Sequence, residues 1–339
     1  ARRPGPFRAM ALAVEKGRSA FRAPDAVSEE ERKKLVSLGY LSTGAPAKTA
    51  ELPDPKDEIG AVRTLREAVT LSSSGRPREA LPLLEGLLKK NPAMTDVWEL
   101  YANALAASGR FEDALGAMRR TVELSPPGAT IPLLAVANLC LQGGLVDEAR
   151  QNAELALARG DSAAHEALAR IRLATGDLAG AESAARAALD TPRVRRRAEL
   201  ALAHVAARQG NTAVALSRLD ALVASGSADT LPGVRYLRGD LLARASRWDE
   251  AARDFREEIR LFPFTTEPRV GLALVQSSRG EGAAARQTLS RMVEEVGTAE
   301  AWARAYRGLV FLGDRAAAER LRAEARRRYP EDASFRTAL

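Results

Sequence analysis

The stretch "TDVWELYANALAASGRFEDALGAMRRTVELSPPG", residues 95–128, contains two helical patterns separated by one glycine. Gly109 ends the first pattern, because glycine enters the left-handed conformation found at helix ends without a steric penalty. The two prolines at 126–127 end the second, since proline lacks the N–H that a helix interior needs. We therefore predict a pair of helices, about Asp96–Ser108 and about Phe111–Leu124.

The start of the second half, "GRFEDAL" at 109–115, recurs along the chain. The related phrases are "GRPREAL" at 75–81, "GLVDEAR" at 144–150, "GDLAGAE" at 176–182, "GNTAVAL" at 210–216, "SRWDEAA" at 246–252, "GEGAAAR" at 280–286 and "GDRAAAE" at 313–319. A period of about 34 residues is typical of helix–turn–helix repeats, which stack because one pair cannot bury its apolar face alone. The sequence thus predicts an all-α solenoid of about eight repeats.

The composition favours the same fold. Hydrophobic residues make up 46% of the 339 residues but aromatic residues only 5%, so alanine and leucine dominate the apolar content. Both are strong helix formers, whereas β-branched and aromatic strand formers are scarce. A chain of this length exceeds a typical single core, which fits an extended array.

The sequence lacks the common signatures of catalysis. It contains no GK[ST] phosphate loop, no H-E-x-x-H and no G-x-S-x-G. With two histidines and one cysteine, Cys140, neither an ordinary zinc site nor an intrachain disulfide is expected. No apolar run is long enough to span a membrane. We expect no catalytic residue, no metal, no cofactor and a buried structural role for Cys140.

The repeat resembles the tetratricopeptide repeat (TPR) family, in which large, small and proline residues recur at fixed places. In the second repeat these places are filled by Trp98, Ala102, Leu105, Ala114, Met118 and Pro126, with the large side chains filling the gap between the helices. One departure is Arg172, where the fourth repeat should carry a large apolar residue. The resemblance covers roughly residues 57–330 and implies a right-handed superhelix whose first helices line a concave, partner-binding face.

The register of this resemblance defines candidate peptide-binding residues on the concave face. They are Asn103, Asn138, Arg170, Arg197, His204, Arg208, Tyr236, Asp240 and Arg244. Asn103 and Asn138 occupy one place in successive repeats, where asparagine in this family often hydrogen-bonds an extended peptide backbone; its amide donates and accepts at once. The alternative, that these are solvated polar side chains of an inner face, stays open.

The charge distribution bears on the class of partner. The net charge is +7, and every fixed positive charge after Lys90 is an arginine. Arginine binds carboxylates and phosphates bidentately, so the run "TPRVRRR" at 191–197 suggests an acidic partner, with a solvated helix start as the alternative. Nucleic acid is not expected, because aromatic residues are few and arginine is mixed with acidic residues. Glu99 stands where the family's carboxylate clamp needs lysine, which argues against a chaperone C-terminus.

The ends of the chain fall outside the repeat. Residues 1–56 are predicted to form a tether with one short helix at 28–40, which Ser28 caps and Gly39 ends. Residues 331–339 begin what we predict to be a capping helix or tail. If that segment leaves the last apolar face uncovered, self-association follows.

The segment at about 28–60 resembles the tail of sulfatase-like hydrolases that carry C-terminal TPR arrays. An acidic helix ending in "LGY" is followed by a loose linker and a "DPKD" segment. That family's nucleophile lies in a C/S-x-P-x-R motif, whereas Cys140 is followed by Leu-Gln-Gly. The resemblance therefore implies a non-catalytic C-terminal region of a larger hydrolase.

These observations lead to one main expectation and one alternative. We expect a scaffold that binds an extended, acidic peptide on its concave face, in a chain that is not itself an enzyme. The alternative is the accessory region of a sulfatase-like hydrolase, which leaves the activity of a longer polypeptide open. We expect a bacterial source, and the sequence leaves both the cytoplasm and the periplasm open.

Overall fold

Sixteen α-helices build the part of the chain that the computed structural model describes, residues 55–330 and residue 335, with side chains from residue 60 onward. They are α1 Pro55–Ser73, α2 Pro77–Lys90, α3 Thr95–Ala107, α4 Phe111–Leu124, α5 Ile131–Gln142, α6 Val146–Ala158, α7 Ala164–Thr175, α8 Leu178–Ala188, α9 Arg195–Arg208, α10 Thr212–Ala224, α11 Val234–Arg244, α12 Trp248–Leu261, α13 Glu267–Ser278, α14 Gly282–Val296, α15 Ala299–Phe311 and α16 Arg315–Arg328. A short 3₁₀ helix, Ser227–Asp229, precedes α11, and these described residues contain no strand. The predicted all-α repeat fold is confirmed.

The helices form eight pairs, each an odd-numbered helix followed by an even-numbered one. Every helix packs against the next along the chain, and, apart from the pair α3 and α5, each odd-numbered helix also packs against the next odd-numbered one, as α5, α7 and α9 do. The even-numbered helices make no comparable contact among themselves. The first helices of the repeats therefore lie together on the inner face of the array, as the sequence predicts.

Small residues set the spacing of each pair. The sixth residue of every repeated phrase is an alanine with no exposed surface, and the eight are Ala80, Ala114, Ala149, Ala181, Ala215, Ala251, Ala285 and Ala318. A methyl side chain at this point lets two helix backbones approach closely, and larger neighbours fill the space around it. The phrase recurs because the same packing joint is built eight times.

A left-handed residue opens each turn within a pair. In seven repeats it is a glycine with φ between 73° and 83°, including Gly109 at 83°. In the sixth repeat it is Ser246 at 59°, the one non-glycine with positive φ among the residues that the structure describes. The turn geometry is thus kept even where the sequence does not supply the residue that adopts it most easily.

Aromatic rings and glycines interlock between successive repeats. The ring of Phe255 on α12 is almost completely buried between Gly239 on α11 and Gly271 on α13. A Cβ atom at Gly239 would lie 2.8 Å from this ring, and one at Gly271 would lie 2.7 Å from it. These two glycines are present because the ring occupies the space that a side chain would need.

Trp98, Arg172 and Cys140, which the sequence analysis names, differ in how deeply the fold buries them. Trp98 packs against the core from its edge: it is half-buried, and its Nε1–H donates to the Pro92 carbonyl at 2.9 Å. Arg172 is half-buried and donates to the Gly180 carbonyl at 3.0 Å. Cys140 is buried as predicted, and burial raises the pKa of its thiol to about 11.

Arginine side chains join residues that lie about one repeat apart. Arg119 contacts Glu148 at 2.7 Å, and Arg304 contacts Glu267 at 2.8 Å. Arg208 donates to the Leu173 carbonyl, at the end of α7, at 2.5 Å. Many arginines are therefore engaged inside the array, which weakens the inference from arginine content to an acidic partner.

The first repeat also contacts the far end of the array. The ring of Phe264, between α12 and α13, lies against Gly75, and a Cβ atom at Gly75 would overlap it. The guanidinium of Arg78 on α2 lies 5.7 Å from the centre of the Tyr329 ring, which follows α16. Two separate contacts thus bring the first pair of helices against late repeats.

The ends of the chain stay mostly outside the described residues. The predicted helix at 28–40 lies there, and of the predicted tail at 331–339 only Phe335 is described. Phe335 is buried, and its ring stacks on Tyr329 at 6.4 Å between centres. The tether, tail and domain boundaries stay predictions.

Candidate binding groove

A cavity of about 610 Å³ lies on the inner face of repeats two to five. It is formed by α3, α5 and α7, together with Met118 of α4, the residues before α9 and the first turn of α9. Its polar lining consists of Glu99, Asn103, Asn138, Gln142, Glu166, Arg170, Arg193 and Arg197. Four of the nine predicted site residues, Asn103, Asn138, Arg170 and Arg197, therefore share one groove.

Helix geometry explains why these side chains converge. Glu99 and Asn103 are four residues apart on α3, and Glu166 and Arg170 are four apart on α7, so each pair shares one face. The helices α5, α7 and α9 contact one another in turn, and Glu99 and Asn103 of α3 line the same cavity as side chains of α5 and α7. The groove is thus a direct product of the repeat register.

The floor of the groove is apolar. Leu134, Ala135 and Leu139 of α5 line it together with Ala167 of α7. Ile131 stands at the start of α5 with 64% of its surface exposed. An apolar floor with a few polar groups is the usual composition of a binding site, because apolar contact supplies affinity and polar groups fix orientation.

The two asparagines differ in what they offer. Arg170 donates from Nη2 to Oδ1 of Asn138 at 2.8 Å, so this carbonyl already has a partner while the amide N–H groups remain. Asn103 is exposed, and no hydrogen bond of its side chain is found within the described residues. Asn103 can donate and accept towards a bound chain, whereas Asn138 is oriented by Arg170 and is left to donate.

Glu166 is a site residue that the sequence reasoning missed. It is only 5% exposed, and its Oε1 atom has no hydrogen-bond donor among the described residues. Its one ion-pair neighbour is Arg170, whose Nε lies 3.9 Å from Oε1. Burial raises the pKa of this carboxyl, and the opposing effect of Arg170 and Arg197 is smaller.

A sequence signal for Glu166 existed in the repeat register. The equivalent positions on the two flanking first helices are Leu134 and Leu200, so a carboxyl group stands where neighbouring repeats carry leucine. Glu99 occupies the same register in the second repeat, but its side chain is exposed. An acid in a largely apolar column is the pattern that would have identified Glu166.

The basic run at 191–197 is divided by the fold. Arg193 pairs with Asp161, so its charge is compensated. Arg197 is exposed at the groove, and its side chain has no hydrogen bond or ion pair within residues 60–330. Arg197 is thus the basic side chain of the groove that is most available to a partner.

The other five predicted residues do not line this groove. Arg208 donates to a backbone carbonyl, Arg244 pairs with Asp240 at 2.9 Å, and the Tyr236 ring packs 6.1 Å from that of Phe255. His204 is half-buried, and burial, with a smaller effect from Arg208, lowers its pKa. Arg208, Arg244, Asp240 and Tyr236 thus have partners within the array, and none of the five residues lines the 610 Å³ groove.

A larger cavity, about 730 Å³, opens between α9 and α10. Its three arginines are already engaged: Arg218 pairs with Glu199 at 2.6 Å, Arg196 donates to a threonine hydroxyl and Arg195 donates to a backbone carbonyl. The 610 Å³ groove is the better candidate despite its smaller size, because it holds polar groups that lack partners.

Neither a membrane-spanning helix nor a metal site is found in the described part of the chain. Within it, no helix combines the length and the apolar character that crossing a bilayer requires. The same residues contain no group of three histidine, cysteine, aspartate or glutamate side chains placed to hold a metal ion.

Comparison with known proteins agrees with the repeat. A family model described as tetratricopeptide repeat matches residues 65–129, 200–265 and 236–308, just over half of the chain. A search of curated proteins finds no match.

Solved structures are similar in fold. Yeast Tom70 shares 14% identity at a TM-score of 0.54, over 85% of this chain and 63% of that one. The APC/C hetero-tetramer Cut9-Hcn1 shares 18% identity at a TM-score of 0.51, over 91% of this chain and 58% of that one. A tetratricopeptide repeat protein from Parabacteroides merdae ATCC 43184 shares 14% identity at a TM-score of 0.50, over 78% of this chain and 97% of that one. At such identities the similarity concerns the fold alone.

Proposed function

Because this chain belongs to the tetratricopeptide repeat family, we propose that it is a protein–protein interaction scaffold whose groove binds an extended peptide. Proteins of this family generally mediate protein–protein interaction. The observation that carries the peptide assignment is the placement of Asn103 and Asn138 at one register in successive repeats, both facing the same 610 Å³ groove. Because they stand on different helices, the two amides can hydrogen-bond separate peptide units of one extended chain.

The groove also supports a preference for the side chains of the peptide. Ile131 and Leu134 offer an apolar surface on which one apolar side chain can pack. Arg197, exposed and without a partner within the described residues, offers a charge for one carboxylate. A preference for an acidic peptide therefore depends on Arg197 alone, since Arg193 is paired with Asp161 and Arg170 is bonded to Asn138.

The test is an array of immobilised twelve-residue peptides of randomised sequence, probed with the purified chain. Wild type should retain a subset of these peptides, and the double variant Asn103→Ala with Asn138→Ala should lose them. We expect a loss of at least about tenfold, because two hydrogen bonds of about 1 kcal/mol each are removed. Gln151→Ala with Gln287→Ala is the matched control, since both amides are exposed on second helices. Equal retention by the asparagine variant would reject the groove as the site.

The alternative is that the chain is the accessory region of a sulfatase-like hydrolase. It rests on the resemblance at 28–60, most of which lies outside the described residues. Sequencing the native transcript upstream of the codon for Ala1 decides it. A preceding α/β domain with C/S-x-P-x-R would support it, and a start codon directly upstream would exclude it.

Self-association stays a prediction with one supporting and one opposing observation. Phe311, at the end of α15, is 73% exposed, together with its neighbour Val310. Phe335 is buried against Tyr329 and so covers part of the last pair. Light scattering that shows only monomer across a wide concentration range would remove this idea.

A further inference from the structure

One group in the groove is not used by a peptide backbone lying on the two asparagines. Glu166 lies on α7 between the leucine-bearing helices α5 and α9, and its carboxyl lines the groove while being almost fully buried. A buried carboxyl oxygen without a donor is costly, because it has lost water without gaining a hydrogen bond in exchange. Such a group in a binding cavity indicates a donor that arrives with the ligand.

The neighbouring arginines do not supply that donor. Arg170 approaches Oε1 of Glu166 only to 3.9 Å, beyond hydrogen-bond distance, and its Nη2 is directed to Asn138. Arg197 acts on Glu166 electrostatically but forms no hydrogen bond with it. Both cations reduce the cost of the negative charge, yet the hydrogen-bonding capacity of Oε1 remains open.

We propose that Glu166 binds a primary ammonium group of the bound peptide, either its amino terminus or a lysine side chain. The assignment rests on the peptide-binding function proposed above. It extends that function by naming the chemical group that the groove selects.

The chemistry of the groove favours an ammonium over other donors. A neutral N–H would supply only the missing hydrogen bond, whereas a cation supplies that bond and adds to the compensation of the buried charge that Arg170 and Arg197 already give. A guanidinium is a broad planar fork, while an ammonium is a compact point charge with three donors. Those three N–H groups can bind the carboxylate of Glu166, a side chain that lines the groove.

The probe is the same peptide array, immobilised through the carboxyl terminus and printed in matched forms. Each sequence carries a free or an acetylated amino terminus, and each lysine is paired with norleucine. For peptides that wild type retains, we expect removal of the critical amine to lower binding at least about tenfold, since a charge-assisted hydrogen bond is lost. Sensitivity to acetylation identifies the amino terminus, and sensitivity to norleucine identifies lysine.

Glu166→Gln keeps the shape of the side chain and removes its charge. This variant should bind the amine and amine-free forms equally, whereas Glu154→Gln, which removes an exposed acid from α6, should keep the wild-type preference. A structural role for Glu166 would predict a less stable variant. We expect instead a chain that melts no lower than wild type at neutral pH, since a buried charged oxygen without a hydrogen-bond donor has been removed.

The outcomes separate the two proposals. If wild type retains no peptide, or retains the same peptides after substitution of both asparagines, the peptide-binding function fails and this inference fails with it. If retention depends on the asparagines but amine-free forms bind as well as the originals, only the ammonium assignment is overturned. Persistence of the amine preference in Glu166→Gln would overturn it equally.

Discussion

At the scale of single residues, two buried glutamates show how the same side chain serves different purposes. Glu258 on α12 accepts from the backbone N–H groups of Gly233 at 2.6 Å and Arg235 at 3.2 Å, and so satisfies the start of α11. Glu166 is equally buried, but one of its oxygens accepts nothing within the described part of the array. The burial of Glu258 is therefore explained by its hydrogen bonds within the array, whereas we attribute the burial of Glu166 to a hydrogen bond from a bound partner.

The pH dependence of stability should report the burial of Glu166. Because burial raises its pKa above that of the unfolded chain, the folded state holds this proton more tightly. Stability is then lost as pH rises through the unfolded-state value of about 4.3, and it stays reduced above the folded-state pKa. In thermal melts followed by circular dichroism, Glu166→Gln should melt above wild type at neutral pH, and the two should converge near pH 3, below the glutamate range.

Glu154→Gln provides the comparison for this measurement. Glu154 is exposed, so its substitution should leave the difference from wild type small at both pH values. A constant offset of Glu166→Gln across the pH range would mean that the ionisation of Glu166 is not linked to folding.

At the scale of elements, the turn within each helix pair carries most of what could be predicted. The predicted pair Asp96–Ser108 and Phe111–Leu124 agrees within one residue with α3 and α4, because Gly109 and the prolines at 126–127 act locally. The core alanines were equally readable, since a repeat places them at one phase. These features depend on neighbours close in sequence, which a single chain displays directly.

The occupation of the candidate site was harder to predict. Whether Arg170 bonds to Asn138, or Arg244 to Asp240, depends on rotamers and on residues brought together by stacking. Such choices leave no trace in a period or a composition. The register brings four of the nine predicted residues to one groove, but it cannot show which of the other side chains find partners within the array.

Ser246 offers a prediction at this scale, because it adopts φ of 59° where the other repeats use glycine. A left-handed conformation costs a residue with a Cβ atom about 1–2 kcal/mol, a cost that glycine avoids. Part of this gain is offset, because glycine has more conformational entropy to lose when the chain folds. Ser246→Gly should therefore increase the free energy of unfolding by about 0.5–1 kcal/mol, measured by urea denaturation.

The matched control is the same substitution within a helix. Ser290 is exposed in α14, where glycine is a poor helix former, so Ser290→Gly should lower stability by about 0.5–1 kcal/mol. Two changes of one sign would show that the turn conformation of Ser246 is not the cause.

At the scale of the whole array, the contacts of the first repeat with late repeats set this chain apart from an open stack of pairs. Phe264 against Gly75 and Arg78 over Tyr329 are independent contacts made by different side chains. Nothing in the repeat period predicts them, because they depend on how curvature accumulates over six to eight repeats. The sequence therefore indicates how neighbouring helices pack, but not which late repeats contact the first repeat.

Removal of the Phe264 ring should loosen this contact. Phe264→Ala is expected to increase the radius of gyration measured by small-angle X-ray scattering, while the helical content stays unchanged because the ring is outside the helices. Phe311→Ala is the control, since that phenylalanine is also exposed but takes no part in the contact with Gly75. Identical scattering curves for wild type and Phe264→Ala would show that the contact does not hold the ends together.

The meeting of first and late repeats has a consequence for how the array comes apart. A stack held only by nearest neighbours frays from its two ends, each independently of the other. Where those ends brace one another, fraying at one end withdraws support from the other. Amide hydrogens of the first and last helix pairs should then exchange with solvent together, so that regions far apart in sequence behave as one cooperative unit.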